Sequence, residues 1–150
     1  LGDVAPLQAP SYPIENATSL RCPWMKHEAL TQQIIACIVK VHRTLGPGFL
    51  EGIYRRALCL ELQRSGLKVE AEKPVPVYYE GEEVGLHRLD LVVEDTVVLV
   101  LKAVPELAVA HYEQLRSYLR ASCLDVGLLV NFGRERSDFR RLERPEPSPS

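Results

Sequence analysis

Two charged side chains interrupt aliphatic segments in the middle of the chain. Asp90 stands between Leu89 and Leu91, and Lys102 follows residues 97–101, which read Val-Val-Leu-Val-Leu. Successive side chains of a β-strand point to opposite faces, so Asp90 is predicted to point away from both leucines. A buried carboxylate is costly unless it is paired or binds a metal. The pattern therefore leaves two readings open: a structural ion pair between Asp90 and Lys102, or a site that uses both charges.

A third candidate, Glu51, lies on a segment with helical periodicity. At about 100° per residue it falls on the flank of the apolar stripe, near the line through Leu58 and Leu62. A carboxylate there is neither freely solvated nor fully buried, so it can turn toward a site. The alternative is a surface ion pair with Arg55, four residues along the same helix.

The elements that must position these side chains follow from periodicity. Steps of three and four residues predict helices at 27–45, 49–65 and 109–122. Alternation predicts strands at 67–72, 84–93, 96–103 and 125–132, with a separate extended piece at 74–79. The prolines Pro74 and Pro76 restrict their strand to a sheet edge. The aliphatic run at 97–101 suits a central strand buried on both faces. The order α-α-β-β-β-α-β predicts an α/β or α+β domain with a mixed sheet flanked by helices.

The totals describe an ordinary globular chain with a single core. It has 150 residues, 46% hydrophobic and 25% charged, and a net charge of −2. That charge gives no overall attraction to phosphate, so contact with nucleic acid would rest on local basic patches. No apolar run approaches the ~20 residues of a membrane span. The four isolated cysteines form no zinc-type pair and predict a reducing, cytoplasmic compartment: Cys22, Cys37, Cys59 and Cys123.

The two ends lack the pattern of a core. Residues 1–26 hold four prolines without periodicity and are predicted to be a disordered leader. Residues 134–150 are rich in arginine and then in proline and serine, which predicts a mobile tail. The predicted domain is therefore 27–133.

Three segments, in this order, resemble those of the GxxExxY proteins, which are themselves similar to the PD-(D/E)XK nuclease superfamily. The resemblance runs from about residue 28 to residue 132. Its motifs are Gly48-Phe49-Leu50-Glu51-Gly52-Ile53-Tyr54, then Arg88-Leu89-Asp90 with Leu101-Lys102-Ala103-Val104, then the helix of residues 111–119.

The resemblance implies a role for each charged candidate. Asp90 corresponds to the first acidic ligand of Mg²⁺ or Mn²⁺, and Lys102 to the lysine that orients and activates the attacking water. Glu51 matches a helix glutamate that points into the same site in several branches. The metal would polarise the phosphoryl group and lower the pKa of its bound water.

Three further residues are implied in support. Gln114 and Tyr118 match a QxxxY pair whose i, i+4 spacing puts both on one helix face. They would touch the site or the nucleic-acid backbone, or else fill the interface between helix and sheet. Tyr54 ends the GxxExxY motif and is expected half in the core.

Val100 departs from the superfamily pattern of acid, any residue, lysine. Here that triplet is Val100-Leu101-Lys102, and a valine cannot bind a metal. Strand alternation puts Val100 on the face of Lys102, so the loss falls on the implied metal site. Glu51 is the best replacement ligand beside Asp90, ahead of the weaker candidates Glu70, Glu72 and Glu113.

Three functions follow as hypotheses. The first is a degenerate nuclease-like domain, a pseudoenzyme that still binds DNA or RNA. The second is an active Mg²⁺- or Mn²⁺-dependent phosphodiesterase in which Glu51 replaces the missing ligand. The third is a structural or assembly module. A homodimer is compatible with each, and no membrane partner is expected.

Overall fold

Residues 27–144 form three helices and five strands in the computed structural model, which describes only these residues. The predicted leader, residues 1–26, and the last six residues of the predicted tail lie outside the described part. No helix within residues 27–144 is long and apolar enough to span a membrane.

The helices lie close to where periodicity predicts them. The structure has α1 at Glu28–Leu45, α2 at Glu51–Arg64 and α3 at Val109–Ser122. Helix α1 ends at Gly46, whose φ of 72° suits glycine. Residues 46–50 turn the chain directly into α2, so the two helices are neighbours.

The five strands form one mixed sheet in the order β1-β2-β3-β4-β5. Strands β3 and β4 pair in parallel and the other neighbours pair antiparallel. Helix α3 makes the crossover between the two parallel strands. The bounds are β1 Val69–Tyr79, β2 Glu82–Val93, β3 Val97–Lys102, β4 Val126–Asn131 and β5 Asp138–Glu143.

Each face of the sheet is covered by helices. One core cluster joins α1 and α2 to the sheet through residues such as Ile38, Leu58 and Leu99. The other joins α3 to the opposite face through residues such as Val98, Leu115 and Leu129. Residues 97–101 are at most 1% exposed, which fits a central strand between two helical layers.

The predicted fold class and element order are confirmed, and β1 with its two prolines lies at the sheet edge. Strand β5 is an addition that the sequence pattern does not reveal. It pairs with β4 from Asp138 to Glu143, inside the predicted mobile tail. The ordered domain therefore continues past residue 133.

Candidate functional site

Asp90 lies where the ladder between β2 and β3 ends. The last matched pair on this side is Leu91 with Leu99. The Leu101 amide then donates a hydrogen bond of 2.8 Å to Asp90 Oδ2. The carboxylate thus takes the place of a backbone acceptor, and one of its oxygens is already engaged.

Strand β2 changes its packing at Asp90. Leu91 belongs to the cluster under α1 and α2, whereas Leu89 belongs to the cluster under α3. The prediction that Leu89 and Leu91 share the face opposite Asp90 is therefore wrong. On β1, Glu72 lies between the matched residues Ala71 and Lys73, at the level of Asp90. Its φ of 53° is a conformation that costs a non-glycine residue about 1 kcal/mol. Both strands are irregular at this one level of the sheet.

The half-buried Asp90 carboxylate is surrounded by charge. Burial raises the pKa of Asp90 and is the largest influence on it, followed by the Leu101 hydrogen bond, which lowers it. The nearby cations Arg55 and Lys102 also lower the pKa. No ion pair joins Asp90 to Lys102 within residues 27–144, so the structural ion pair that strand adjacency allowed is not formed.

Glu51 is the first residue of α2 and is partly buried. Burial raises the pKa of Glu51, and the negative charge of Asp90 raises it further. Lys102, Arg55 and His111 act in the opposite direction. The two carboxylates and Lys102, which come from three different elements, therefore lie close enough to interact electrostatically.

The alternative surface pair of Glu51 with Arg55 is not formed. The Arg55 guanidinium instead pairs with Glu72, with Nη2 and Oε2 separated by 3.3 Å. Arg55 was not predicted as a site residue, although its position four residues after Glu51 was a usable signal. It adds a cation between α2 and the sheet.

Lys102 is the last residue of β3 and lies level with Asn131 on β4. Its carbonyl accepts a hydrogen bond of 2.8 Å from the Phe132 amide. This bond fixes the end of the strand, and the ammonium is partly exposed there.

Val100 is 1% exposed and belongs to the cluster of Leu115, Tyr118 and Leu129. The position that the superfamily pattern fills with an acid is part of the hydrophobic core in this chain. A carboxylate there would have to displace apolar contacts beneath α3.

Gln114 and Tyr118 lie together on α3, where Gln114 Nε2 donates to the Tyr118 hydroxyl at 3.2 Å. Burial raises the pKa of Tyr118, and the charges of Asp90 and Glu51 raise it as well. The tyrosine therefore lies within the electrostatic influence of both carboxylates, while its ring also contributes to the core.

Tyr54 does not reach the site. It is fully buried and its ring stacks on Phe132 with centroids 4.5 Å apart. Its hydroxyl donates to the Gly46 carbonyl and accepts from the Phe49 amide. Tyr54 thus fixes the loop that leads into Glu51.

A cavity of 680 Å³ opens between the loops that follow α1, β3 and β4. Arg134 and Arg136 are exposed on its wall. The buried His42 donates from Nε2 to the Arg134 carbonyl at 2.6 Å and so anchors this loop. The cavity therefore lies at the same end of the sheet as Lys102.

A mixed sheet between helical layers, with an aspartate and a lysine on adjacent strands at one end, is the arrangement of the nuclease class that the sequence resembles. The chain belongs to the PD-(D/E)XK nuclease superfamily, because the family model of that description matches residues 28–142.

The fold is also similar to one solved structure, described as "Crystal structure of SSO0001". The sequence identity is 15% and the TM-score 0.52, so this likeness concerns the fold alone. The match covers 89% of this chain and 62% of that chain. No curated protein matches this chain.

Members of the superfamily typically use a divalent metal, and the residues here fit one poorly. Among residues 27–144, no three histidine, cysteine or acidic side chains are grouped to hold an ion. Asp90 has one oxygen engaged by Leu101, and Val100 offers none. Glu51 is the remaining candidate for a second ligand, and the cations Lys102 and Arg55 already lie near it.

Proposed function

We propose that this chain is a GxxExxY-type member of the superfamily that binds nucleic acid without cutting it. The burial of Val100 carries the proposal, because a core valine stands where the second acidic ligand belongs. The assignment to the GxxExxY proteins rests on the motif of residues 48–54.

The missing carboxylate affects catalysis more than binding. Hard cations take oxygen ligands, and Mg²⁺ is usually held by one or two carboxylates together with substrate phosphate. Removing a ligand weakens the binding of the cation that polarises the phosphoryl group. Phosphate contacts by lysine and arginine need no metal and are the main source of affinity for nucleic acid.

The basic side chains at this end of the sheet support a phosphate partner. Lys102 ends β3, and Arg134 and Arg136 are exposed on the neighbouring cavity wall. Contacts of this kind position a backbone without reading its sequence. Glu106 and Glu135 lie on the same wall, so phosphate contact would rest on these individual cations and not on a net positive surface.

Binding and cleavage assays on the full chain test the proposal. We expect labelled DNA or RNA to bind without metal, with an affinity about 40-fold lower after a fourfold rise in salt if three phosphates are contacted. Lys102→Ala should weaken binding. Lys68→Ala should not, because Lys68 is exposed and pairs with Asp95 at the far end of β3.

Cleavage would contradict the proposal. Plasmid, linear, branched and single-stranded DNA and RNA are each incubated with Mg²⁺ or Mn²⁺. Cutting that Asp90→Ala abolishes would show an active site, and the absence of metal-free binding would remove nucleic acid as the partner.

The active phosphodiesterase is the second candidate, and the interaction of Glu51 with Asp90 favours it. Two partly buried carboxylates that repel each other gain from a shared cation. This candidate requires Mn²⁺ binding in calorimetry that Glu51→Ala removes. Absence of that binding, or indifference to the substitution, would eliminate it.

A further inference from the structure

Arg55 pairs with Glu72 at the level of the sheet where Asp90 lies beyond the last pair of the β2–β3 ladder. We propose that its guanidinium, held by Glu72, places a fixed positive charge near Asp90 and Glu51 and thereby disfavours metal binding there. The inference rests on the proposed function, because it explains how Asp90 is held in a domain that lacks the second ligand.

Helix geometry brings Arg55 to this position. Arg55 is one turn after Glu51, so both side chains lie on the same side of α2. A Cβ added at Gly52 would lie 3.7 Å from Arg55 Nη2, which shows that the guanidinium lies close to the first turn of α2.

Glu72 fixes the other side of the guanidinium. Arg55 Nη2 lies 3.3 Å from Glu72 Oε2, and Glu72 lies at the level of Asp90, between the matched pairs Ala71–Leu91 and Lys73–Leu89. The Arg55 side chain is 26% exposed, against 58% for Glu72. Arg55 is therefore the more buried partner of this pair, and its charge is less screened by water than that of Glu72.

The charges of the site agree with this position. Among the charged neighbours of Asp90, Arg55 contributes most to keeping its carboxylate ionised. Arg55 also lowers the pKa of Glu51, and it forms the ion pair with Glu72. A guanidinium cannot be deprotonated in proteins, so it is a permanent counter-charge.

A metal ion would have to enter against this charge. Like charges repel more strongly in a partly buried site than in water, because the effective dielectric constant there is lower. As long as Arg55 stays paired with Glu72, a cation that approaches Asp90 and Glu51 meets this charge. Neutralising Arg55 should therefore open the carboxylates to metal.

Calorimetric titration of the full chain with Mn²⁺ tests this directly. Arg55→Gln and Arg55→Met remove the charge, and the methionine retains an apolar stem for packing. We expect both to bind Mn²⁺ at least about tenfold more tightly than the wild type, a change of about 1.4 kcal/mol. Adding Asp90→Asn to Arg55→Gln should abolish the gain.

Two charge controls separate this role from a structural one. Arg55→Lys retains the charge and should keep Mn²⁺ binding at the wild-type level. Arg56→Gln removes an adjacent exposed arginine and should also change nothing. Circular dichroism and thermal melting establish that each variant is folded.

The inference is overturned if neither neutral variant gains Mn²⁺ affinity, or if Arg56→Gln gains as much. These outcomes do not depend on the proposed function, which fails only through cleavage by the wild type or a lack of nucleic-acid binding. A wild type that is inert but unchanged by Arg55→Gln would refute the role of Arg55 alone.

Discussion

Val100 stands at the position that the superfamily pattern fills with an acid, and its side chain joins the hydrophobic cluster beneath α3. An acid introduced there must therefore overcome the cost of burial before it can offer a ligand.

We expect Val100→Glu to lower stability by about 3 kcal/mol without metal, because a carboxylate is buried without a partner. When Arg55→Gln is added to remove the competing charge, Mn²⁺ should recover part of the loss, since the introduced carboxylate adds an oxygen ligand to Asp90 and Glu51. Thermal melts with and without Mn²⁺ measure both effects.

Val98→Glu is the matched control, because Val98 is also fully buried and lies in the same cluster two residues earlier. It should lose as much stability and recover none with Mn²⁺. Equal recovery in the two variants would show that Mn²⁺ acts outside the site.

Asp90 predicts a pH dependence of stability. Burial raises its pKa in the folded state, so the folded protein holds this proton more tightly than the unfolded chain. The contribution of protonated Asp90 to the free energy of unfolding is fully present below the ordinary aspartate pKa of about 3.9. It is lost as the pH rises through the higher pKa of the folded state.

Asp90→Asn removes this dependence and retains an oxygen for the Leu101 amide. The stability of the variant relative to wild type should therefore increase as the pH rises above about 4. Urea denaturation over a pH series measures the difference. Parallel curves for the two proteins would contradict the assignment.

At the scale of elements, the loops that carry the site depend on Asn131. This residue of β4 is fully buried. Its Oδ1 accepts from the amides of Val104 and Gly133 at 3.0 Å, and its Nδ2 donates to the Val104 carbonyl at 2.9 Å. The loop after Lys102 is thereby tied to the loop after β4.

The close approach of these two loops also explains Gly133. A Cβ there would lie 2.3 Å from the Val104 carbonyl oxygen, a backbone atom that cannot move aside alone. Any side chain would push apart the two loops that border the cavity.

Asn131→Ala should cost about 3 kcal/mol, because it leaves three backbone groups without their partner. Urea denaturation measures this loss. Thr44→Ala serves as a comparison, since it removes an exposed bond to the Lys40 carbonyl and should change stability little. An unchanged midpoint for Asn131→Ala would mean that water replaces the amide.

At the scale of the whole molecule, β5 completes the sheet. Phe139 packs against the α1–α2 cluster and Leu142 against the α3 cluster. The arginines of this segment are balanced locally, as in the 3.0 Å pair of Arg144 with Asp125. A charged segment thus becomes a strand through pairing and a few apolar contacts.

A chain that ends at Gly133 should fail to unfold cooperatively and should aggregate, because β4 becomes an exposed edge of six buried residues. Circular dichroism melts and size-exclusion chromatography of the full and shortened chains test this. A cooperative melt at the same midpoint would show that β5 is dispensable.

The sequence alone was sufficient for the elements whose pattern is local. Apolar periodicity determined the helices, and the run Val97–Leu101 determined the central strand, because burial on both faces demands continuous aliphatic residues. The sequence pattern also identified Asp90 and Lys102 as charged residues within aliphatic strands. Strand alternation predicted that Val100 shares a face with Lys102.

Only the tertiary structure decided what depends on partners distant in sequence. Strand β5 was hidden because its stabilising contacts come from β4, and Arg55 was overlooked because its partner Glu72 lies on another element. Tyr54 bonds back to its own loop, whereas the Tyr118 hydroxyl accepts a bond from Gln114 and its pKa responds to both carboxylates. Periodicity determines which face a side chain takes, and packing between elements determines which charges meet there.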